Sequence, residues 1–475
     1  MIKKIPNSLK SILTASIFLT TGLTTLSTQA ITVKNVADAG YWTDTLLPDP
    51  TKINKIKING KDKDFSQSIN EIYNRFVGNY IVDEANGRAR VKWGSGGALR
   101  DGAGKVAKDA HATASEGMGY GMLITAYGDD KIRFDKLAEF YFYVMEQNPT
   151  AKLMPWLVFN DGTPVTDNLC YNTGAQQTCL GAGGDGPATD VDIAMALLLA
   201  SDKWGNAGDI NYKKEAIEII NELHDNWLKY CTTTRTWVVK PFENSEFNAC
   251  TSEIDPSYSI PAFFRVFADI KDIKNDNDRW NSAARDAYVL FDTQKAGPKK
   301  DKTFVPDWMT ATGAQATSGR SVHYASDASR IPWRVAMDYA WFGTAAAKNW
   351  SRRLINDLID NSNSGSLANI NNDIEKSTGN SRNDYNGRSF SGGFTTGAMM
   401  YDWFPANINN FTNHWLEETI NGSIPWFIGA NGYENNNNDY YGMALSTLYA
   451  LTLSGNTYKP DPNKPEPKTA EANEN

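Results

Sequence analysis

Apolar residues recur at spacings of three and four along most of this chain, and this period constrains the fold more than any other feature of the sequence. Stripes of this kind occur in residues 69–77, 134–145 and 216–227. Because an α-helix makes one turn in 3.6 residues, side chains at this spacing share one face. Over the whole chain the pattern predicts about twelve helices and only short, scattered strands.

The predicted helices are of two kinds. Residues 193–200 and 443–453 are small and apolar on nearly every side, whereas residues 212–228 carry one apolar stripe and a charged face. Helices that are apolar all round are buried, and amphipathic helices cover them. We therefore predict a large all-α fold in two layers. The spacing does not show whether the layers close into a barrel.

The charge balance excludes one large class of partner. The chain has 47 Lys and Arg against 55 Asp and Glu, which gives a net charge of -8. Proteins that hold a phosphate backbone need a basic surplus, so we expect no nucleic acid to bind. The 14 Trp and 21 Tyr residues suit sugars or flat ligands, although most of them are expected to fill the core.

The first thirty residues have the pattern of a secretory signal. Three lysines precede a mostly uncharged stretch, residues 11–26, and small residues follow up to Ala30. The stretch is too short and too rich in Thr to span a bilayer. We predict that residues 1–30 are removed and that the mature protein is secreted to the extracellular or periplasmic space, without a membrane partner.

The four cysteines form two local pairs, Cys170 with Cys179 and Cys231 with Cys250. Three pairings are possible, and the local one is the most economical in an oxidising compartment. Zinc is a poorer interpretation, because no Cys-x-x-Cys occurs and the four histidines show no ligand spacing.

Composition also marks the loops and the end of the chain. Residues 160–188 and 362–391 are rich in Gly, Asn, Ser and Thr and are predicted to be long loops, where binding groups are often found. Residues 457–475 include the Pro-rich run from Pro460 and cannot bury enough apolar area to fold. We predict a disordered tail there.

The first acidic segment in an unusual context is residues 115–122, which read Ser-Glu-Gly-Met-Gly-Tyr-Gly-Met. Three glycines within five residues disfavour a helix by about 1 kcal/mol each. Close approach of a ligand or of a neighbouring helix is expected to compensate. Glu116, at the helix start between Met and Tyr side chains, suits a general acid, but a helix-capping role explains the segment as well.

The second segment is Thr189-Asp190-Val191-Asp192, which opens an apolar run that ends at Trp204. Thr189 or Asp190 would serve as the cap of a buried helix. Calcium is a weak interpretation of the two aspartates, since the run supplies no further oxygen ligands. In the functional interpretation, Asp190 projects from the helix start into a cleft.

The third segment contains Asp327 and Arg330, followed by Pro332. Residues three apart share a face of a helix, so a structural salt bridge is one interpretation. In a cleft, Arg330 would instead keep Asp327 ionised and aimed, as a general base requires.

Taken together and in this order, the three segments resemble glycoside hydrolase family 8. S-E-G-x-G-Y-G-M is similar to the family's proton-donor segment, A-T-D-x-D-x-x-M-A to its signature, and D-A-x-R-x-P-W-R to its base segment. Residues 255–263 and 439–455 are further similar stretches. The resemblance implies an (α/α)6 barrel over residues 31–456, with long loops that form a substrate cleft.

The resemblance also implies an inverting hydrolase of β-1,4-linked glucans. Glu116 would protonate the leaving oxygen, and Asp327 would activate a water on the opposite face of the sugar. Such a pair lies about 6.5–9.5 Å apart, which leaves room for the water. Asp190 would bind and help to distort the sugar at the cleavage point, and Arg330 would orient the base.

Flat aromatic side chains suit the apolar faces of pyranose rings. Trp156 matches a platform tryptophan of the family. Weaker candidates for platform or cleft positions are Tyr120, Tyr258, Trp308, Tyr440 and Tyr441. The resemblance implies a β-linked polysaccharide as the partner and neither a metal ion nor an organic cofactor, and we expect a monomer.

Three departures from the family pattern bear on substrate preference: Val191 within the signature, Ser326 before the base, and the Cys-bearing, Gly-rich insertion at 165–186. The leading hypothesis is a secreted endo-β-1,4-glucanase. The alternatives are a xylanase or chitosanase of the same family and a catalytically inactive polysaccharide-binding protein. The presence of all three carboxylates disfavours the inactive protein, and the Asp in D-A-x-R disfavours a chitosanase.

Overall fold

The structure of the protein is a computed structural model. It describes residues 55–58, 61–94, 98–100, 106–108, 112–165, 169–173, 176–180, 187–242, 246–271, 277–293, 303–361, 373–382, 388–399, 415 and 440–465. The predicted signal at 1–30 lies outside the described residues, as does much of the predicted loop at 362–391.

Helices dominate the described part of the chain. They are α1 Phe65–Tyr80, α2 Ser115–Tyr127, α3 Lys131–Gln147, α4 Pro187–Trp204, α5 Tyr212–Glu222, α6 Pro261–Ala268, α7 Asn277–Thr293, α8 Ile331–Phe342, α9 Ala345–Asn361, α10 Arg388–Ala398 and α11 Tyr440–Leu453. Among these helices, none combines the length and the apolar composition that crossing a bilayer would require.

The helices fall into the two kinds that the sequence predicts. All residues of α11 are buried, and in α2 every residue except Glu116 is buried. Helices α1, α3 and α5 bury one face only, as their apolar stripes require. The prediction of buried helices covered by amphipathic ones is therefore confirmed.

The two kinds alternate along the chain and pack in pairs. Each of the outer helices α3, α5, α7 and α9 packs against the inner helix that precedes it, and α1 packs against α11. Among the inner helices, α4 packs against α2, α2 against α11, α11 against α10, α10 against α8, and α8 against α6. The inner helices thus follow one another around a common core, and their ends carry the loops of the site.

The glycines of α2 allow this helix to approach its neighbours closely. A Cβ atom at Gly119 would lie 2.9 Å from Cβ of Asp192 and 3.0 Å from the carbonyl oxygen of Thr189, both on α4. A Cβ atom at Gly121 would lie 2.5 Å from Cγ2 of Val91. Of the two compensations expected for these glycines, close approach of a neighbouring helix is present in the structure.

Short antiparallel strand pairs connect the helices. They are β1 Lys55–Ile58 with β2 Lys61–Asp64, β3 Ile81–Asp83 with β4 Ala89–Val91, β5 Ala98–Arg100 with β6 Val106–Lys108, β7 Ala112–Ala114 with β8 Leu157–Phe159, β9 Leu169–Thr173 with β10 Gln176–Leu180, β11 Leu228–Cys231 with β12 Thr236–Val239, and β13 Glu253–Ile254 with β14 Met309–Thr310. Strand β5 also pairs with β9 and joins two of these hairpins into a four-stranded sheet. The predicted long loop at 160–188 thus contains a β-hairpin, formed by β9 and β10.

Two of these pairs set the position of the site. In β7–β8, Ala114 lies opposite Leu157, and this register brings the start of α2 against Trp156. In β13–β14, Ile254 lies opposite Met309, so Asp255 and Trp308 leave the pair side by side. A slip of one residue in either pair would turn the side chains of the shifted strand to the opposite face.

The cysteines agree with local pairing where their side chains are described. A disulfide joins Cys231 to Cys250. Cys170 lies directly opposite Cys179 in the β9–β10 hairpin, and the side chains of this second pair lie outside the described residues. The pairing of Cys231 with Cys250 is thus confirmed, and the pairing of Cys170 with Cys179 stays a prediction.

Residues 457–465 correct the predicted start of the disordered tail. The indole N–H of Trp341 donates to the carbonyl oxygen of Thr457 at 3.0 Å, and the hydroxyl of Tyr458 donates to the carbonyl oxygen of Leu199 at 3.1 Å. Composition does not predict these contacts, because Thr457 and Tyr458 have few apolar neighbours in sequence and find their partners on the distant inner helices.

The close packing of α2 on α4 predicts a large cost for a single methyl group. We expect Gly119→Ala to lower the free energy of unfolding by about 1–3 kcal/mol, since the methyl group meets the backbone of Thr189. Gly78→Ala on α1 is the matched control, because a Cβ atom there meets nothing within 4 Å. The control should gain up to about 1 kcal/mol from helix propensity. Urea unfolding measures both, and equal effects would contradict the packing.

Candidate active site

Glu116 stands in the first turn of α2 with its side chain 14% exposed. Ser115 does not cap this helix; its backbone N–H and its hydroxyl donate to the carbonyl oxygen of Trp156, at 2.8 and 3.4 Å. Oε1 of Glu116 accepts a hydrogen bond from Nη1 of Arg330 at 2.8 Å, and Oε2 accepts one from the hydroxyl of Tyr440 at 3.2 Å. The carboxylate is thus held by two donors and still reaches solvent.

Asp327 immediately precedes the short 3-10 helix Ala328–Arg330 that leads into α8. The buried carboxylate of Asp307 holds this turn, because its Oδ1 accepts the backbone N–H groups of Ala325 and Ala328 at 2.9 and 2.8 Å. Oδ2 of Asp327 accepts the indole N–H of Trp308 at 3.1 Å. The side chain is 31% exposed, so a water molecule or a sugar can reach it.

Arg330 connects these two carboxylates to a third. Its Nη1 donates to Glu116, and its Nη2 donates to Oδ1 of Asp327 at 3.1 Å and to Oδ2 of Asp255 at 2.9 Å. Because the two nitrogens of one guanidinium lie about 2.3 Å apart, the bonded oxygens of Glu116 and Asp327 are within about 8 Å of each other. The guanidinium therefore gathers three acidic groups that are distant in sequence.

Neutral groups hold the guanidinium in place. Nε of Arg330 donates to the hydroxyl of Ser257 at 3.0 Å, and Nη1 also donates to the hydroxyl of Tyr120 at 2.9 Å. The rings of Tyr258 and Tyr441 lie 5.5 and 5.8 Å from the guanidinium carbon, within the range of cation–π attraction. The buried arginine is therefore fixed by hydrogen bonds and by aromatic rings on several sides.

Burial and mutual repulsion control the protonation of the aspartates. Burial raises the pKa of Asp327 above its usual value, the charge of Glu116 raises it further, and Arg330 and the Trp308 N–H group act against both. Burial and the charge of Asp327 likewise raise the pKa of Asp255, against the effect of Arg330. Three ionised carboxylates would exceed the charge of one guanidinium, and in this surrounding the pKa of Asp255 rises to about 8.

Asp190 lies in the first turn of α4 and is completely buried. Its Oδ1 accepts the backbone N–H of Met154 at 3.2 Å and the hydroxyl of Tyr141 at 3.3 Å, and its Oδ2 accepts the hydroxyl of Thr189 at 3.2 Å. The structure thus places Asp190 behind the segment that carries Trp156.

An aromatic wall stands on the Glu116 side of the site. Trp93 and Trp156, both half-buried, meet edge to face with ring centroids 6.2 Å apart. Trp93 also contacts the ring of Tyr440 at 5.5 Å, and its carbonyl oxygen accepts the backbone N–H of Tyr440 at 3.0 Å. The wall therefore connects the predicted platform tryptophan to the residue that bonds Glu116.

A second aromatic stack stands on the Asp327 side. Trp308 and Phe242 are stacked with ring centroids 5.6 Å apart and planes only 5° from parallel. The guanidinium of exposed Arg320 lies 4.0 Å from the Trp308 ring, and Tyr258 meets the same ring at 6.5 Å. Flat rings thus lie near each of the two carboxylates, and such rings suit the apolar faces of sugars.

The structure brings together most of the predicted residues and adds four. Glu116, Asp327, Arg330 and the predicted tyrosines surround one point, and Asp190 contacts the segment that carries Trp156. Sequence reasoning missed Asp255, Trp93, Phe242 and Arg320 as members of the site. The segment that contains Asp255 was singled out by its resemblance to the family, but nothing distinguished its carboxylate among 55 acidic residues.

Comparison with known proteins identifies the family. A family model described as glycosyl hydrolases family 8 matches residues 95–398. Endoglucanase A of Acetivibrio thermocellus is 31% identical over 377 residues, which cover 78% of this chain and 68% of the relative. Endoglucanase 2 of Ruminiclostridium josui is 34% identical over 247 residues, which cover 51% of this chain and 47% of the relative. The second match thus spans about half of each protein.

Solved structures share the fold. A β-1,3-1,4-glucanase from Paenibacillus sp. X4 superposes with a TM-score of 0.62 at 21% identity, over 85% of this chain and 96% of that one. A cold-adapted family 8 xylanase superposes with a TM-score of 0.61 at 17% identity, over 91% of this chain and 98% of that one. The fold is the (α/α)6 barrel that the resemblance implies, and the chain belongs to glycoside hydrolase family 8.

Proposed function

We propose that this protein is an exported inverting endo-β-1,4-glucanase in which Glu116 is the general acid and Asp327 is the general base. The observation that carries the proposal is the shared contact of both carboxylates with Arg330. That contact holds the two groups at a fixed separation, with the aromatic wall beside Glu116 and the aromatic stack beside Asp327. The catalytic unit is proposed to be the barrel domain within residues 31–456, preceded by the removable signal at 1–30.

In the proposed reaction, water attacks the anomeric carbon and gives a proton to Asp327 while Glu116 protonates the departing glycosidic oxygen. Both oxygens of Asp327 accept one hydrogen bond each from the protein, and a carboxylate oxygen has a second lone pair for the water. Arg330 and the Trp308 N–H group stabilise the ionised base before the reaction. They also keep its two oxygens from turning away from the water.

The aromatic walls support a polysaccharide substrate. Trp156 and Trp93 flank the acid, and Trp308 with Phe242 flanks the base, so sugars on both sides of the cleaved bond would meet flat rings. A cleft with rings on both sides favours cleavage within a chain. Since endoglucanases and a xylanase occur among the similar proteins, turnover of mixed-linkage β-glucan, carboxymethylcellulose, xylan and chitosan decides the substrate.

The predicted contact between Asp190 and the sugar remains a prediction. In the structure its carboxylate is buried and accepts the backbone N–H of Met154, two residues before Trp156. We propose that Asp190 at least fixes the segment that presents Trp156.

Replacement of the acid tests the proposal most simply. We expect Glu116→Gln to lower kcat on soluble β-glucan by at least about 100-fold, because the amide has no proton to give to the leaving oxygen. Glu139→Gln is the matched control, since Glu139 is exposed on the far face of α3. Reducing-sugar release measures both, and near-normal turnover by Glu116→Gln would contradict the assignment.

Replacement of Trp308 tests the base. Trp308→Phe keeps a flat ring against Phe242 but removes the N–H group that stabilises ionised Asp327. The pKa of Asp327 should rise. As the pH falls, the variant should therefore protonate its base, and lose activity, at a higher pH than the wild type does. We expect the acid limb of the kcat/KM profile to move up by about one pH unit or less. An acid limb that does not move, in a variant that still binds substrate, would exclude Asp327 as the titrating base.

A further inference from the structure

Arg320 is an exposed cation that lies against the aromatic stack on the Asp327 side of the site. Its guanidinium carbon is 4.0 Å from the ring centroid of Trp308 and 4.5 Å from that of Phe242, within the range of cation–π attraction. Trp308 in turn donates its indole N–H to Asp327. A single indole ring therefore separates this guanidinium from the proposed base.

Backbone contacts hold the segment that carries Arg320. The backbone N–H of Trp308 donates to the carbonyl oxygen of Ser321 at 3.0 Å, so the residue after Arg320 is fixed beside the ring that Arg320 contacts. On the other side, Oε1 of Glu253 accepts the backbone N–H of Ser318 at 2.9 Å. The segment is thus tied down before and after Arg320, and less conformational entropy is lost when the guanidinium binds a ligand.

The guanidinium of Arg320 has no anionic partner and donates no hydrogen bond within the part of the chain that the structure describes. The carboxylate of Glu253, which holds the same segment, is instead taken up by hydrogen bonds from Thr317 and Ser318. The five N–H groups of the guanidinium therefore stay available for a ligand.

A carboxylate is the group that suits this guanidinium best. The planar fork of an arginine binds a carboxylate through two parallel hydrogen bonds, and such charge-assisted bonds are stronger than bonds to neutral hydroxyls. Asp327, ionised as a base must be, would repel a carboxylate on the substrate. The exposed cation beside it offsets that repulsion at one place along the cleft.

We propose that Arg320 is a specificity-determining residue that binds a carboxylate carried by the β-glycan, as a uronic acid or a carboxymethyl substituent, on the Asp327 side of the cleft. This inference rests on the function proposed above, which supplies the β-linked backbone. It adds to that function a preference for acidic over neutral substitution of the sugar that lies next to the aromatic stack.

The test compares kcat/KM on two soluble polymers with the same β-1,4-glucan backbone, anionic carboxymethylcellulose and neutral hydroxyethylcellulose. We expect Arg320→Gln to lower the ratio of the first value to the second by about two- to fivefold, because a charge-assisted contact at an exposed position is lost. Burial raises the pKa of Asp327, and Arg320 is among the charges that act against this, but an effect on the base is common to both polymers and cancels in the ratio. An active Arg320→Gln variant with the wild-type ratio would overturn the proposal.

Two further variants separate contact with the carboxylate from a general effect of charge. Arg285→Gln removes the same charge from an exposed position on the outer helix α7 and should keep the wild-type ratio. Arg320→Lys keeps the charge but not the planar fork, so its ratio should lie between those of the wild type and Arg320→Gln. A fall of equal size in Arg285→Gln would assign the effect to net charge, and the proposal would fail.

A second pair of polymers, glucuronoxylan and neutral arabinoxylan, identifies the source of the carboxylate. A lower ratio of Arg320→Gln for this pair would assign a uronic acid branch on a xylan. A lower ratio for the cellulose pair alone would assign an acidic substituent on a glucan. Wild-type ratios for both pairs would contradict the proposed contact.

Binding without turnover separates this inference from the proposed function. In native gels that contain carboxymethylcellulose, Glu116→Gln protein should be retarded more than the double variant Glu116→Gln, Arg320→Gln, and gels with hydroxyethylcellulose should show a smaller difference. Equal retardation of the two proteins by carboxymethylcellulose would contradict the role of Arg320 alone. Failure of the wild-type protein to hydrolyse any of the polysaccharides would contradict the proposed function alone.

Discussion

The contact between one guanidinium and three carboxylates determines the arrangement of the site. Arg330 is buried, yet its two terminal nitrogens bond Glu116, Asp327 and Asp255, which come from three separate segments. A buried cation needs its anionic partners, and anions this close together need the cation. The ends of the inner helices are therefore tied to one another through a single side chain, and the catalytic carboxylates take their separation from it.

The barrel supplies the rigidity that this arrangement requires. The glycines of α2 let it lie close to α4, and the register of β7 with β8 brings the start of α2 against Trp156. The register of β13 with β14 places Asp255 beside Trp308. Thus the packing that sets the inner layer also sets which aromatic ring stands beside which carboxylate. Packed helices shift in discrete steps rather than continuously, so the site is held to a narrow range of geometries.

The sequence predicts the layers well and the details of the site less well. The helical period, and the contrast between segments that are apolar all round and segments with one apolar face, depend on local spacing. These features are sufficient to predict helices α2, α5 and α11 and the layer to which each belongs. The ordered motifs locate Glu116 and Asp327. By contrast, the contact of Asp255 with Arg330 joins residues 75 apart and leaves no periodic trace in the sequence. The packing of Thr457 and Tyr458 on the inner helices is hidden for the same reason.

Unfolding of an Arg330→Met variant tests most directly whether the guanidinium holds the carboxylates together. Near neutral pH the free energy of unfolding of the variant should be lower than that of the wild type by about 3–5 kcal/mol, because removal of one partner leaves buried charges uncompensated. Below about pH 5 the loss should shrink, since carboxylates without their cation take up protons more readily. Addition of Asp255→Asn should restore part of the stability at alkaline pH, above the raised pKa of Asp255, by removing one of the repelling charges. A loss that is the same at both pH values, and that the second substitution does not reduce, would contradict the account.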